Sequence, residues 1–201
     1  MKRLAIFVSG NGTNLENILQ QIQDEKIPAE AALVLSDNPG AHALKRAEKF
    51  GVECAVVDRK KFDSRETFES EISRHLVRKG VGLVILAGFM RILSPYFVKT
   101  HAGRILNIHP SLLPDFPGAH AIRDAWEAKA KTTGVTVHFV DEGVDAGPVI
   151  LQRKVPVEKG DTLETLEKKI HAVEYQIYPE AIRLFLEGRV ELRGKKVLIR
   201  K

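Results

Sequence analysis

The chain reads as an α/β protein, a Rossmann-like and mainly parallel sheet flanked by helices, finished by an antiparallel hairpin and a long helix. Three observations predict this class. Short apolar, β-branched runs alternate with segments of helical period up to residue 109, the pattern of a parallel sheet with right-handed crossovers. One of those runs, VGLVILAG (81–88), is apolar without a break, as expected of a strand covered on both faces. After residue 133 the alternation stops, and two strand-like runs succeed each other across a short turn.

The elements can be taken in chain order. LAIFVS (4–9) is a first strand that ends in a glycine-rich turn, and NLENILQQIQDEK then repeats Leu15, Ile18, Leu19 and Ile22 with helical period. AEAALVLS is a second strand, and AHALKRAEKFG a second helix closed by Gly51. ECAVVD is a third strand. SRETFESEISRHLVRKG is a third helix that starts from Ser64 as N-cap and stops at Gly80. VGLVILAG and RILNIHP are the fourth and fifth strands. TGVTVHFVD and GPVILQRKVPV pair across EGVDA as an antiparallel hairpin. Asp161 and Glu164 form a capping-box-like start to a helix over about 162–187, ended by Gly188, and RGKKVLIRK completes the chain as a basic tail. No internal repeat, low-complexity stretch or linker interrupts residues 1–201, which predicts one domain.

Composition narrows the function classes. The 201 residues are 44% hydrophobic and 28% charged, which is ordinary for a globular protein with a buried core. No apolar run reaches membrane-spanning length, and the N-terminus has no cleavable signal pattern. Cys54 is the only cysteine, so no internal disulfide forms and a cytoplasmic location is expected. A net charge of +5 favours anionic ligands, but the basic residues are scattered and aromatics make up only 6%, which argues against a nucleic-acid partner.

Four stretches can carry chemistry. SGNGTN (9–14) joins the first strand to the first helix, where glycines admit a ligand to backbone N–H groups and the helix N-terminus favours phosphate. It is neither a full GxGxxG nor a Walker loop. Asp37 closes the second strand, so a dinucleotide site stays open on this segment, as does a turn without a ligand. NIHPSLLPDFPG (107–118) sets Asn107 and His109 on the same side of an extended chain and stiffens the loop after them with Pro110, Pro114 and Pro117. A carboxamide N–H and an imidazolium can both donate to one developing oxyanion, as acyl-type transfer requires. Ser111 is a tempting nucleophile, but no nucleophile elbow surrounds it. DEGVDAGPV (141–149) places Asp145 before the turn into an apolar strand, and a carboxylate near His109 would favour the charged ring. AGFMRILSP (87–95) surrounds a strand end with apolar side chains and one arginine, which suits either the core or a flat aromatic ligand. No HExxH or Cys/His spacing appears, so no metal is expected, and His138 fits an alternating strand as a core residue.

SGNGTNL, AGFMRILSP, NIHPSLLPDFPG and DEGVDAGPVI, in this order and spacing, resemble the phosphoribosylglycinamide formyltransferases, from the first strand to EYQIYPEAI near residue 180. The resemblance implies a formyltransferase fold whose residues 1–100 hold phosphate and whose residues 101–201 hold folate and carry out catalysis. It implies that Gly12, Thr13 and Asn14 cradle the phosphate of glycinamide ribonucleotide, with Glu174 as a further contact to that substrate. Arg65, Met90, Arg91, Ile92 and Leu93 match folate-binding positions, as do Asn107, Asp141 and Val144. Asn107, His109 and Asp145 match the catalytic trio. The implied reaction moves a formyl group from 10-formyltetrahydrofolate, a co-substrate, to the amine of glycinamide ribonucleotide in purine (IMP) biosynthesis. Asn107 and protonated His109 would stabilise the oxyanion, and Asp145 would keep His109 charged. The implied partners are small molecules, with a monomer or homodimer and no metal, nucleic acid or membrane. One departure is visible: His120 is present, but Ile122 replaces a second histidine often found there. Relatives that hydrolyse the formyl folate usually carry an extra N-terminal domain, and those that formylate tRNA an extra C-terminal one, so neither is expected here. A non-catalytic nucleotide-binding module would leave Asn107, His109 and Asp145 without a purpose.

Overall fold

The computed structural model describes residues 2–200. Seven strands form one sheet in the order β3-β2-β1-β4-β5-β6-β7, and two more form a separate hairpin. The chain divides into two compact units, one running to Leu106 and the other starting at Asn107.

In the first unit, β1 (Lys2–Val8) pairs in parallel with β2 (Ala29–Ser36) on one side and with β4 (Leu83–Leu86) on the other, and β2 pairs with β3 (Cys54–Val56). Leu4 to Val8 are fully buried, the continuous apolar run that a doubly covered strand requires. Helix α1 (Thr13–Gln23) turns Leu15, Ile18 and Leu19 inward, and α2 (His42–Lys49) turns Ala43, Leu44 and Ala47 inward. Helix α3 (Arg65–Arg78) is capped by Ser64, whose hydroxyl accepts the Thr67 N–H while the Thr67 hydroxyl accepts the Ser64 N–H. A short helix, α4 (Pro95–Thr100), is absent from the element order read off the sequence. Its start carries a readable signal: Ser94 caps the Phe97 N–H at 3.1 Å, and Pro95 takes the first helical position.

The second unit holds most of β5 (Ile105–His109), then α5 (Ala121–Glu127), and the expected antiparallel pair β6 (Thr132–Phe139) and β7 (Val149–Pro156). Helix α6 (Leu163–Leu186) packs on β6 and β7. Its N-cap is Thr162, reciprocally bonded with Thr165, and not Asp161 with Glu164 as the spacing suggests. Asp161 instead pairs with Lys169 at 2.9 Å. The helix runs through Pro179, which is buried, so packing outweighs the hydrogen bond that proline removes.

The basic tail is also structured. Val190–Arg193 (β8) pairs with Lys196–Ile199 (β9), reversing at Gly194 with φ 60°. Glu191 bonds Arg193 and Arg200, and these bonds pull its carboxyl down to about 2. Glu191, the acid that pairs with these arginines, lies just before the basic run RGKKVLIRK. Among the described residues, no helix is long and apolar enough to cross a membrane.

Candidate active site

In the first unit, β1 delivers the chain into Gly10–Asn14. Gly12 is the N-cap of α1 and sits in the left-handed region at φ 77°, which a side chain would strain. An added Cβ there would lie 2.5 Å from the Ala43 Cβ, so glycine also lets α1 and α2 approach. The amides of Thr13 and Asn14 lie in the first turn of α1, where N–H groups have no intrahelical acceptor and the helix end is partially positive. Arg46 braces the turn from α2: its Nε donates to the Asn11 carbonyl at 2.9 Å and its guanidinium pairs with Glu16.

The segment after β4 presents Met90 and Ile92 to solvent, while Leu93 is buried at 7% exposure and serves the core. Phe89 is anchored edge-to-face on Phe7, with ring centroids 5.3 Å apart. Ser94 ends the segment, giving its N–H (2.6 Å) and its hydroxyl to the buried Glu69 carboxylate. Arg65 is exposed one helical turn before Glu69, on the α3 face that meets this segment. Asp37 does not present a free carboxylate for a ribose hydroxyl: its oxygens accept from the Ser9 hydroxyl and the Arg91 Nε, each at 2.6 Å. The dinucleotide reading of SGNGTN therefore loses its acidic partner.

In the second unit the structure brings Asn107, His109 and Asp145 together. Asp145 adopts φ 51°, a left-handed conformation that Asp tolerates better than most residues, and its carboxylate is the hub. One oxygen accepts the Gly118 N–H at 2.9 Å and lies 3.3 Å from His109 Nδ1; the other accepts from Asn107 Nδ2 at 3.4 Å. His109 is buried, and its Nε2 donates to the Phe116 carbonyl at 2.8 Å. Both ring nitrogens thus face acceptors. The Asn107 and His109 donors expected to meet an oxyanion are engaged within the unit.

His138, which the sequence places in the core, joins this cluster. Its Nδ1 donates to the Phe139 carbonyl at 2.8 Å, so its Nε2 lone pair is left to accept from Asn107 Nδ2 at 3.2 Å. Burial pushes the His138 imidazole below the ordinary histidine range, overriding the opposite pulls of the Phe139 carbonyl and the Asp145 carboxylate. His138 and His109 thereby flank one amide and one carboxylate. Ser111 is settled as structural: it is fully buried and its hydroxyl donates to the Asp115 carbonyl at 2.5 Å. The same loop is held by Thr136, which accepts the Leu113 N–H and donates to the Ser111 carbonyl.

Asp141 folds its carboxylate onto the Gly143 N–H at 2.9 Å, and Val144 projects outward at 54% exposure. His120 precedes α5 without capping it, and Ile122 lies within that helix. On α6, Glu174 is buried and binds His171 Nδ1 at 2.8 Å. That bond holds the His171 imidazole above the ordinary range. The proton is favoured in the folded state, so the pair's stabilising effect is full at acidic pH and fades as pH rises through the folded value. His171 should titrate above a free histidine, and Glu174→Gln should lower it. A proton NMR titration checks this; an unmoved His171 in the folded variant would refute the assignment.

Comparison with known proteins places this geometry in context. The sequence profile described as formyl transferase matches residues 2–182. The phosphoribosylglycinamide formyltransferase of Bacillus subtilis is 42% identical over 196 residues, which is 98% of this chain and all of that protein. The trifunctional purine biosynthetic protein adenosine-3 of Drosophila pseudoobscura pseudoobscura is 46% identical over 189 residues, 93% of this chain, and the match spans only 14% of that much longer protein. The crystal structure of glycinamide ribonucleotide transformylase 1 from Symbiobacterium toebii superposes with a TM-score of 0.97 at 47% identity, covering 100% of this chain and 95% of that one.

Proposed function

This chain belongs to the formyl transferase family, and from that premise we propose that it transfers the formyl group of 10-formyltetrahydrofolate to the amine of glycinamide ribonucleotide, a step of purine biosynthesis. The observation that carries the reading is the Asp145 hub, which holds the Asn107 amide and a His109 ring whose two nitrogens both face acceptors. On this reading Gly12, Thr13 and Asn14 take the substrate phosphate at the N-terminus of α1, and Glu174 contacts the same substrate. Met90 and Ile92 offer apolar surface to the pterin, with Arg65, Arg91, Asp141 and Val144 as further folate contacts and Leu93 as support from the core.

The folate supplies the formyl carbon. The substrate amine adds to it, and the formyl oxygen becomes an oxyanion. An oxyanion is a stronger acceptor than a peptide carbonyl. It therefore competes for the His109 N–H that the Phe116 carbonyl holds in the resting site, and for an Asn107 N–H. That exchange gains energy as charge develops, which is the condition for lowering the barrier instead of merely binding substrate. The added amine nitrogen sheds one proton. His109 gives its own to the folate nitrogen as the carbon–nitrogen bond to folate breaks and the carbonyl re-forms. The shed proton returns to the His109–Asp145 pair, which holds its place throughout. The working partners are these two small molecules, with the protein acting in the cytoplasm as a monomer or homodimer, without metal.

The test is amine-dependent turnover. The protein is mixed with 10-formyltetrahydrofolate, and folate product is followed with and without glycinamide ribonucleotide. Rapid product only with the amine is the expected result, whereas equal rates would make the protein a hydrolase.

A further inference from the structure

Asp37 is left without a role by the chemistry above, yet its side chain is 3% exposed and lies between two segments assigned to different substrates. We propose, resting on the formyl-transfer reading, that Asp37 is a positioning residue that makes binding at the glycine loop and binding at the 90–93 segment mutually reinforcing. The physical connection is continuous. Asp37 accepts the Ser9 hydroxyl on one oxygen and the Arg91 Nε–H on the other. The Ser9 oxygen in turn accepts the Met90 N–H at 2.8 Å, and the Ser9 N–H donates to the Gly88 carbonyl at 3.1 Å. Ser9 is the residue immediately before Gly10, so the start of the phosphate loop and the backbone of Met90 share one anchor.

The segment it anchors has something to gain from being anchored. Residues 89–94 have no regular secondary structure, Met90 and Ile92 are exposed, and the Arg91 side chain is 46% exposed. A folate seated on this segment orders Arg91 and Met90, and through Asp37 and Ser9 it also orders the turn that receives phosphate. The second ligand then meets a site whose ordering is already complete, which is positive coupling without a large movement. Asp37 suits the task because a carboxylate accepts on both oxygens at once. An asparagine keeps one acceptor and turns an NH₂ toward either the serine or the arginine donor.

The experiment is a pair of calorimetric titrations on the full chain. Glycinamide ribonucleotide is titrated alone and with saturating tetrahydrofolate, which lacks the formyl group and cannot react; the reverse titration checks reciprocity. In the wild type each ligand should tighten the other by the same factor, about 5-fold or more, the lower end of common couplings. In Asp37→Asn the factor should collapse toward one. A general loosening of the fold would weaken both ligands and leave their mutual factor unchanged, so the factor separates positioning from stability. Ser9→Ala cuts the same connection while sparing the Asp37–Arg91 pair, and it should also lower the factor, which serves if Asp37→Asn does not fold. Wild-type factors retained in the variants, or a factor of one in the wild type, would overturn the proposal. A wild-type protein that binds neither ligand would instead overturn the formyl-transfer reading on which it rests.

Discussion

Asp145→Asn should fold and bind its substrates yet lose about 10²–10⁴-fold in kcat, the usual contribution of a general acid. The substitution separates charge from backbone. Asp145 has φ 51°, and asparagine is among the few residues that share aspartate's tolerance for that conformation, so the turn is kept. One side-chain oxygen remains to accept the Gly118 N–H, now 2.9 Å away. What disappears is the negative charge 3.3 Å from His109 Nδ1; the same oxygen stays beside the ring, now as a neutral and weaker acceptor. The introduced NH₂ also meets the Asn107 N–H₂ group, which now donates to Asp145 at 3.4 Å, so donor faces donor. Both changes matter most when the oxyanion forms, so KM should move much less than kcat. Steady-state kinetics with a matched melting curve decides it. A folded variant with wild-type kcat would reduce Asp145 to a turn residue.

The sequence announces the frame and the trio for different physical reasons. Leu4–Val8 and Leu83–Leu86 are legible because strands buried on both faces must be apolar throughout, and Leu15, Ile18 and Leu19 because a helix buries one stripe. Asn107 and His109 are legible because alternation on a strand puts them on one side, and both reach Asp145. Their partners are not. His138 sits on β6 among Val135, Val137 and Phe139, all buried, where a histidine looks like one more core residue. Nothing local says that its Nε2 faces an amide 31 residues earlier in the chain. The Phe116 carbonyl is a backbone atom and has no residue type to read at all.

Other misses are matters of competition between local signals. Asp161 and Thr162 are both good N-cap residues, and Thr165 decides for the threonine by returning the bond, while Lys169 claims the aspartate. Leu93 carries the same apolar signal as Met90 and Ile92, yet only the fold separates the one that is buried from the two that are exposed. Asp37 illustrates the opposite error, since an acid at the end of a second strand matches a ribose-binding pattern, and its two donors show it is spoken for.

Gly147→Ala should be the most damaging single methyl group in the second unit. Gly147 is buried, and an added Cβ would lie 1.8 Å from the Phe139 carbonyl oxygen and 2.9 Å from its carbon, so backbone must move to admit it. Overpacking of this kind typically costs about 1–3 kcal/mol and occasionally more. At roughly 2–4 °C per kcal/mol for a protein of this size, the melting temperature should fall by several degrees, to about ten. The damage should not stop at stability. The Phe139 carbonyl is the acceptor that fixes the His138 Nδ1–H, and through it the Nε2 lone pair that orients Asn107. Displacing that oxygen therefore loosens the amide on which the oxyanion depends, and kcat should fall even at temperatures where the variant is fully folded. Gly10→Ala is the control: no atom lies within 4 Å of its added Cβ, so its melting temperature should match the wild type. Thermal unfolding of both variants, with kcat measured well below the transition, reads the two effects separately. A Gly147→Ala protein that melts within a degree of the wild type would mean that the 139–147 crossing is looser than the structure has it.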